Sequence, residues 1–191
     1  MTPPDPLCSL RRRALLALAT AGLATRLQAA SADAETRLRA GGCVLLLRHA
    51  QTVPGIGDPP EFQLGRCETQ RNLSDAGRAQ AQRIGRWLGT RQLVPRAVRS
   101  SAWCRCTDTA QLALGTHEVW PALNSTFGDR LDQPDASTTL RAALQRLPAR
   151  QFEVWVTHQV NITALAREVP AMGEGLVVDG QARVIARTLF V

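Results

Sequence analysis

The run Cys43-Val-Leu-Leu-Leu-Arg48 passes abruptly from continuous apolar side chains to Arg48-His49-Ala-Gln-Thr52, and it constrains this chain more than any other feature. An apolar run without polar alternation reads as a buried strand, which needs cover on both faces. In open α/β sheets, ligands bind in the crevice beyond the carboxyl ends of the strands. Arg48 and His49 fall at such an end. A guanidinium grips oxyanions bidentately, and an imidazole can attack phosphorus or pass a proton. Taken alone, the pair reads first as an arginine capping strand-end carbonyls beside a histidine packed under a loop. The rest of the chain has to decide between these readings.

Downstream, strand and helix patterns alternate. Val53 to Pro60 is rich in turn residues and reads as a loop over the strand ends. Ser74 is a good N-cap, Asp75 suits the positive helix end, and Ala76, Ala79, Ile84, Trp87 and Leu88 form an apolar stripe that should end near Gly89–Arg91. A short strand through Val94–Arg99 leads into Ser100-Ser101, a helix from Trp103 stops at Gly115, and Glu118–Trp120 is a third strand. A polar loop, Asn124 to Ala136, precedes an amphipathic helix over Thr138–Leu147. Phe152–Thr157 is a strand that ends on His158. A helix over Asn161–Val169 and a terminal hairpin, Leu176–Asp179 with Ala182–Val191, complete the chain. The alternation predicts a three-layer αβα fold with a mainly parallel central sheet and a C-terminal hairpin. Three strand exits then carry polar groups: Arg48-His49, Ser100-Ser101 and His158. One charged strand end is ordinary, whereas several at one sheet edge indicate a site.

The 191 residues, 45% of them hydrophobic, suit one domain with a real core. Its basic residues are all arginine. Residues 1–32, with four arginines against one aspartate, contribute +3 of the formal +7 and leave a modest positive balance for the remainder. That balance fits a small anionic substrate. No basic stripe with interleaved aromatics points to nucleic acid. Arg11-Arg12-Arg13, the uncharged stretch Ala14–Thr25 and Ala30-Ser31-Ala32 read as an export signal over 1–32, of twin-arginine or general secretory type. Residues 33–191 are then the mature domain, exported to the periplasm and without a membrane anchor. Cys8 would leave with the signal. Cys43 reads as a small core residue, so an oxidising compartment predicts one disulfide, Cys67 with Cys104 or Cys106. The Cys-x-Cys spacing lacks the paired clusters of zinc sites, and no metal or other cofactor is expected.

Several segments together resemble the histidine phosphatase superfamily, the phosphoglycerate-mutase-like fold. Leu47-Arg48-His49-Ala50-Gln51-Thr52 resembles the nucleophile signature, Arg-His-Gly with a nearby Thr. Asn72-Leu73-Ser74-Asp75-Ala76-Gly77-Arg78-Ala79-Gln80-Ala81 resembles the Leu-Ser/Thr-x-x-Gly-x-x-Gln-Ala helix start. Ser100-Ser101-Ala102-Trp103-Cys104-Arg105-Cys106-Thr107-Asp108-Thr109-Ala110 resembles the Ser-Ser-x-x-x-Arg-x-x-x-Thr-Ala segment. Val156-Thr157-His158 resembles the second-histidine strand end. The resemblance implies that His49 is the nucleophile and becomes transiently phosphorylated. It further implies that Arg48, Arg105 and His158, with Thr52 nearby, bind the phosphoryl oxygens. Two guanidiniums and an imidazole supply the aligned, preorganised donors such a transfer requires. Arg105 also sits unfavourably against its helix dipole, which calls for an anionic partner.

Two departures from the family pattern stand out. Ala50 takes the place of the usual Gly. Where the branch carries an acidic Glu, the register gives Leu123-Asn124-Ser125, and Ser125 is a poor acid; Asp129 is the expected substitute, with Asp108 the runner-up. Trp103 is expected to pack rather than to line a pocket, and His117 to lie at the surface. The mutase-specific segments are missing, which favours a phosphomonoesterase acting on a small phosphorylated substrate. The alternatives are a catalytically silent phosphate- or phosphosugar-binding protein and a phosphatase of the lipopolysaccharide core.

Overall fold

The computed structural model describes residues 33–127 and 136–191. The expected signal segment 1–32 and Asp129 lie outside the described residues. A first helix, over 33–40 (α1), leads into β1 (Cys43–Arg48). Then follow α2 (Asp75–Thr90), β2 (Ala97–Ser100), α3 (Cys104–Leu114), β3 (Glu118–Val119), α4 (Ala136–Leu144), β4 (Phe152–Thr157), α5 (Gln159–Ala166), β5 (Gly175–Asp179) and β6 (Val184–Thr188). The six strands form one sheet in the order β3-β2-β4-β1-β5-β6. The first four are mutually parallel, and β5 and β6 add an antiparallel hairpin at the β1 edge. Among the described residues no helix is long and apolar enough to cross a membrane.

Side chains of β1 alternate between two cores, as the two-residue strand period requires. Cys43, Leu45 and Leu47 face a cluster with Ala34 and Leu38 of α1, Ile84, Trp87 and Leu88 of α2, and Cys106 and Ala110 of α3. Val44 and Leu46 face the opposite cluster, with Leu140 and Leu144 of α4 and Ile162 and Leu165 of α5. The expected αβα layering is therefore present, and it explains why the run shows no polar alternation.

Several element ends differ from the sequence-based expectation, each for a local reason. β2 begins at Ala97 rather than Val94; Pro95 has no N–H to give a ladder. The fourth helix spans Ala136–Leu144, not Thr138–Leu147, although Leu147 still packs against the same core beyond the helix end. The fifth starts at Gln159 with His158 as its N-cap, and ends at Arg167 in the left-handed region (φ 60°), short of Val169. Helix α2 begins where its cap predicts: Ser74 Oγ accepts from Gly77 N at 3.1 Å.

Candidate active site

The sheet register builds the site. Parallel pairing sets Arg48 opposite Thr157, so the next residues, His49 and His158, emerge together at the carboxyl edge. Their ring centroids are 5.6 Å apart. Ser100-Ser101, leaving β2 on the other side of β4, places Ser101 Oγ 2.8 Å from His158 Nε2. A cavity of about 500 Å³ opens over this edge, and Arg48, His49, Arg71, Arg105 and His158 all line it.

The sequence motifs hold the nucleophile's backbone. His49 N donates to Thr157 O at 3.0 Å. Ala50 N donates to Thr109 Oγ1 at 3.0 Å, and that hydroxyl donates to Arg105 O, so the Arg-x-x-x-Thr spacing joins α3 to the residue after the histidine. Gln80 clamps the next residue: its Oε1 accepts from Gln51 N at 2.9 Å while its Nε2 donates to Met172 O. Gly77 is required by closeness, since a Cβ there would stand 1.8 Å from Gln51 O. Ala50 is fully buried against Leu73 and Ala81, and its methyl group fits where the resemblance expects glycine.

His49 Nδ1 lies 2.8 Å from Ala50 O. A carbonyl can only accept, so Nδ1 carries the proton and Nε2 the lone pair. Burial lowers the imidazole pKa to about 3; Arg105, Arg48 and Arg71 push the same way, against the Ala50 hydrogen bond. The ring is therefore a neutral base throughout the physiological range. His158 is held well below the ordinary histidine value by burial first and by Arg105 next. Its Nδ1 faces Arg105 Nη2 at 3.4 Å.

Arg71 and Asp58, neither singled out from the sequence, complete the cavity wall. Asp58 accepts from Arg105 Nη1 at 2.7 Å, from Trp103 Nε1 at 3.0 Å and from Arg71 N at 3.0 Å. Burial would raise its carboxyl pKa, but the bonds from Arg105, Arg71 and Trp103 outweigh this and hold it below the ordinary range. Arg71 Nη1 donates to Thr52 Oγ1 and to Gly55 O, so Thr52 touches the cradle through Arg71 and does not itself line the cavity. Arg48 Nη1 donates to Pro170 O at 2.8 Å. The Nε atoms of Arg48, Arg71 and Arg105 are buried without a hydrogen-bond partner. Among the described lining residues, three guanidiniums face one carboxylate, which makes this wall cationic.

The remaining expected residues separate clearly. Cys67 pairs with Cys104, not Cys106. This disulfide ties the 53–71 loop, which brings Asp58 and Arg71, to the residue before Arg105. Cys106 is buried beside His158, its thiol pushed up to about 12 by that burial. Asp108 lies off the cavity, paired with Arg78 at 3.5 Å. Ser125 lines the cavity. Trp103 packs against Phe62 as expected, but it also lines the cavity and bonds Asp58. His117 is half-buried, away from the cavity.

The sequence model of the histidine phosphatase superfamily (branch 1) matches residues 44–133. Curated proteins give no match. Among solved structures, the protein histidine phosphatase SixA complexed with tungstate is similar with a TM-score of 0.53 at 15% identity, over 74% of this chain and 91% of that one. A variant of TTHB049 from Thermus thermophilus gives 0.51 at 21% identity, over 76% and 98%. An Agrobacterium tumefaciens protein provisionally designated phosphohistidine phosphatase SixA gives 0.50 at 22%, over 76% and 97%. At these identities the likeness is one of fold. The matched stretch holds the Arg48-His49 signature, α2 and Arg105, and the neighbours share the phosphoglycerate-mutase-like architecture. The family-model match over residues 44–133 and the fold of these neighbours support the expected histidine phosphatase superfamily, branch 1.

Proposed function

We propose that the protein is a phosphomonoester hydrolase that works through a phosphohistidine on His49 and needs no metal. The observation that carries this is the His49 imidazole, its Nδ1 proton directed to Ala50 O, in a cavity walled by three guanidiniums. Nε2 attacks phosphorus, the P–Nε2 bond forms and the ester P–O bond breaks. The positive charge that develops on the ring remains bonded through Nδ1–H to Ala50 O, and the dianionic phosphoryl group offsets the surroundings that disfavour it. Arg48, Arg71 and Arg105 neutralise the equatorial oxygens. His158, neutral beforehand, gains a proton-binding incentive once an anion sits beside it.

In this proposal the departing alkoxide takes its proton from Asp129. The resulting carboxylate then takes a proton from the water that cleaves the P–N bond. Inorganic phosphate leaves, and both residues return to their starting state. Asp58 is not assigned this proton, because Arg105 holds it as the anion. The Cys67–Cys104 disulfide supports a place outside the reducing cytosol, in the cell envelope, in line with the export signal read in residues 1–32.

The test is turnover of p-nitrophenyl phosphate in EDTA, compared with His49→Ala. Activity that survives EDTA and disappears in the variant is expected. A second reading, phosphate binding without turnover, draws on the cavity's one described carboxylate being committed to Arg105. Saturable vanadate binding without hydrolysis of any phosphomonoester would select it.

A further inference from the structure

Above its cationic floor the described lining of the cavity is largely apolar. Ile56, Phe62, Trp103, Phe127, Val160 and Met172 line it. Ile56 is 95% exposed and Phe127 64%, unusual for large apolar side chains at the mouth of a charged site. They belong to two different loops that meet there: a Cβ on Gly57 would stand 3.9 Å from the Phe127 ring. Both loops therefore bring apolar side chains to one mouth, and the same cavity is lined deeper by the Phe62–Trp103 pair, whose ring centroids lie 5.7 Å apart.

Among the described residues, the polar side chains on this wall are few. Asp58 is held by Arg105, Trp103 and Arg71. Ser125 Oγ accepts from Phe127 N at 3.3 Å. Among the described lining residues, Gln159 is the side-chain amide that remains for a substrate hydroxyl. A sugar phosphate would bury several hydroxyls against carbon, and each unpaired hydroxyl is penalised. An apolar alcohol would instead cover Ile56 and Phe127 while its phosphate reaches the guanidiniums.

We propose that the substrate class is the phosphomonoester of an apolar alcohol, alkyl or aryl, with its carbon portion lying against the Ile56–Phe127 rim. This rests on the phosphohydrolase reading above and narrows it. The test is kcat/KM along ethyl, butyl, hexyl and octyl phosphate, with glucose 6-phosphate and glycerol phosphate alongside. Each methylene fully removed from water is worth about fourfold. Partial burial along the series should still give a rise of about a hundredfold from ethyl to octyl, with both polyol esters near the ethyl value. In the Ile56→Ser/Phe127→Ser double variant the octyl-to-ethyl ratio should fall to within a few-fold of one. Hydrolysis of phosphatidate in phosphatidylcholine vesicles separates a bilayer-borne ester from a soluble one.

A flat chain-length series, or glucose 6-phosphate turned over as well as octyl phosphate, overturns the substrate class and leaves the phosphatase reading intact. Failure to hydrolyse any ester overturns the phosphatase reading instead. Calorimetry with octylphosphonate and methylphosphonate then decides the rim: much tighter binding of the octyl compound supports it, and equal binding overturns it.

Discussion

Replacing Asp58 by Asn leaves the shape of the site and removes the carboxylate that, among the described residues, neutralises its cationic wall. Asp58 and Arg105 side chains are 9% and 5% exposed and bonded at 2.7 Å. Breaking a buried pair of this kind typically costs about 3–5 kcal/mol. Asn still offers one acceptor, so a loss of about 2–3 kcal/mol is expected, with the amide hydrogens set against the Trp103 Nε1 or Arg105 donors. At about 2–4 °C per kcal/mol for a domain of this size, Tm should fall by about 5–10 °C. Arg105 loses the partner that aims it. Removing one preorganised donor from an oxyanion site costs about 10²–10³ in rate, and because Arg105 keeps His158 the lower end, about 10²-fold in kcat/KM, is expected. Phosphate distinguishes this from plain destabilisation: the added anion supplies the missing charge, so saturating phosphate should raise the variant's Tm more than the parent's. The assay is thermal unfolding with and without phosphate, together with kcat/KM on p-nitrophenyl phosphate. A variant with lowered Tm but kcat/KM within twofold of the parent, and no added phosphate protection, would refute the positioning role and leave Asp58 as a simple loop tie.

Other perturbations reach different links of the argument. Cys67 and Cys104 are separated by 37 positions, so opening their disulfide should cost about 4 kcal/mol by loop-closure entropy and lower both Tm and kcat/KM; thiol titration of residues 33–191, oxidised and denatured, should find two thiols, Cys43 and Cys106, and four would sink the pairing. His49, with its pKa lowered to about 3, should show a neutral, Nδ1-protonated ring by imidazole ¹⁵N NMR at pH 5, and a titration near pH 6–7 would contradict the burial argument. Because the unfolded histidines take up protons below about 6.5 and the native ones do not, stability should decline as pH falls from about 6.5 toward 3. Asp129→Asn should leave p-nitrophenyl phosphate hydrolysis, whose acidic phenol departs unaided, within a few-fold, and slow alkyl phosphates by about 10²–10⁴; equal effects on both would remove Asp129 as the proton donor.

What could be read in the sequence follows the range of the interactions. The β1 run, the Ser74 cap, the stop at Gly115 and the histidine ending β4 are local patterns, and each stands where its pattern places it. Arg105 could be anticipated from its motif and from its poor fit with the helix dipole; Asp58 is the anion that offsets it. Asp58 and Arg71 were not legible because they sit in a turn-rich loop, where no periodicity aims a side chain. Their positions come from tertiary bonds to α3 and from the Cys67–Cys104 link. The start of α5 lies two residues before the expected Asn161, where no side-chain cap marks it; His158 caps the helix with its backbone geometry alone.

The central claim is a covalent bond between phosphorus and His49 Nε2. Rapid quenching of the enzyme with ³²P-labelled phosphomonoester in alkali measures it directly. The account predicts acid-labile, alkali-stable label that maps to His49, forms at the rate of turnover or faster, and is missing from His49→Ala together with activity. Turnover that persists in His49→Ala, or label found on another residue, would contradict it.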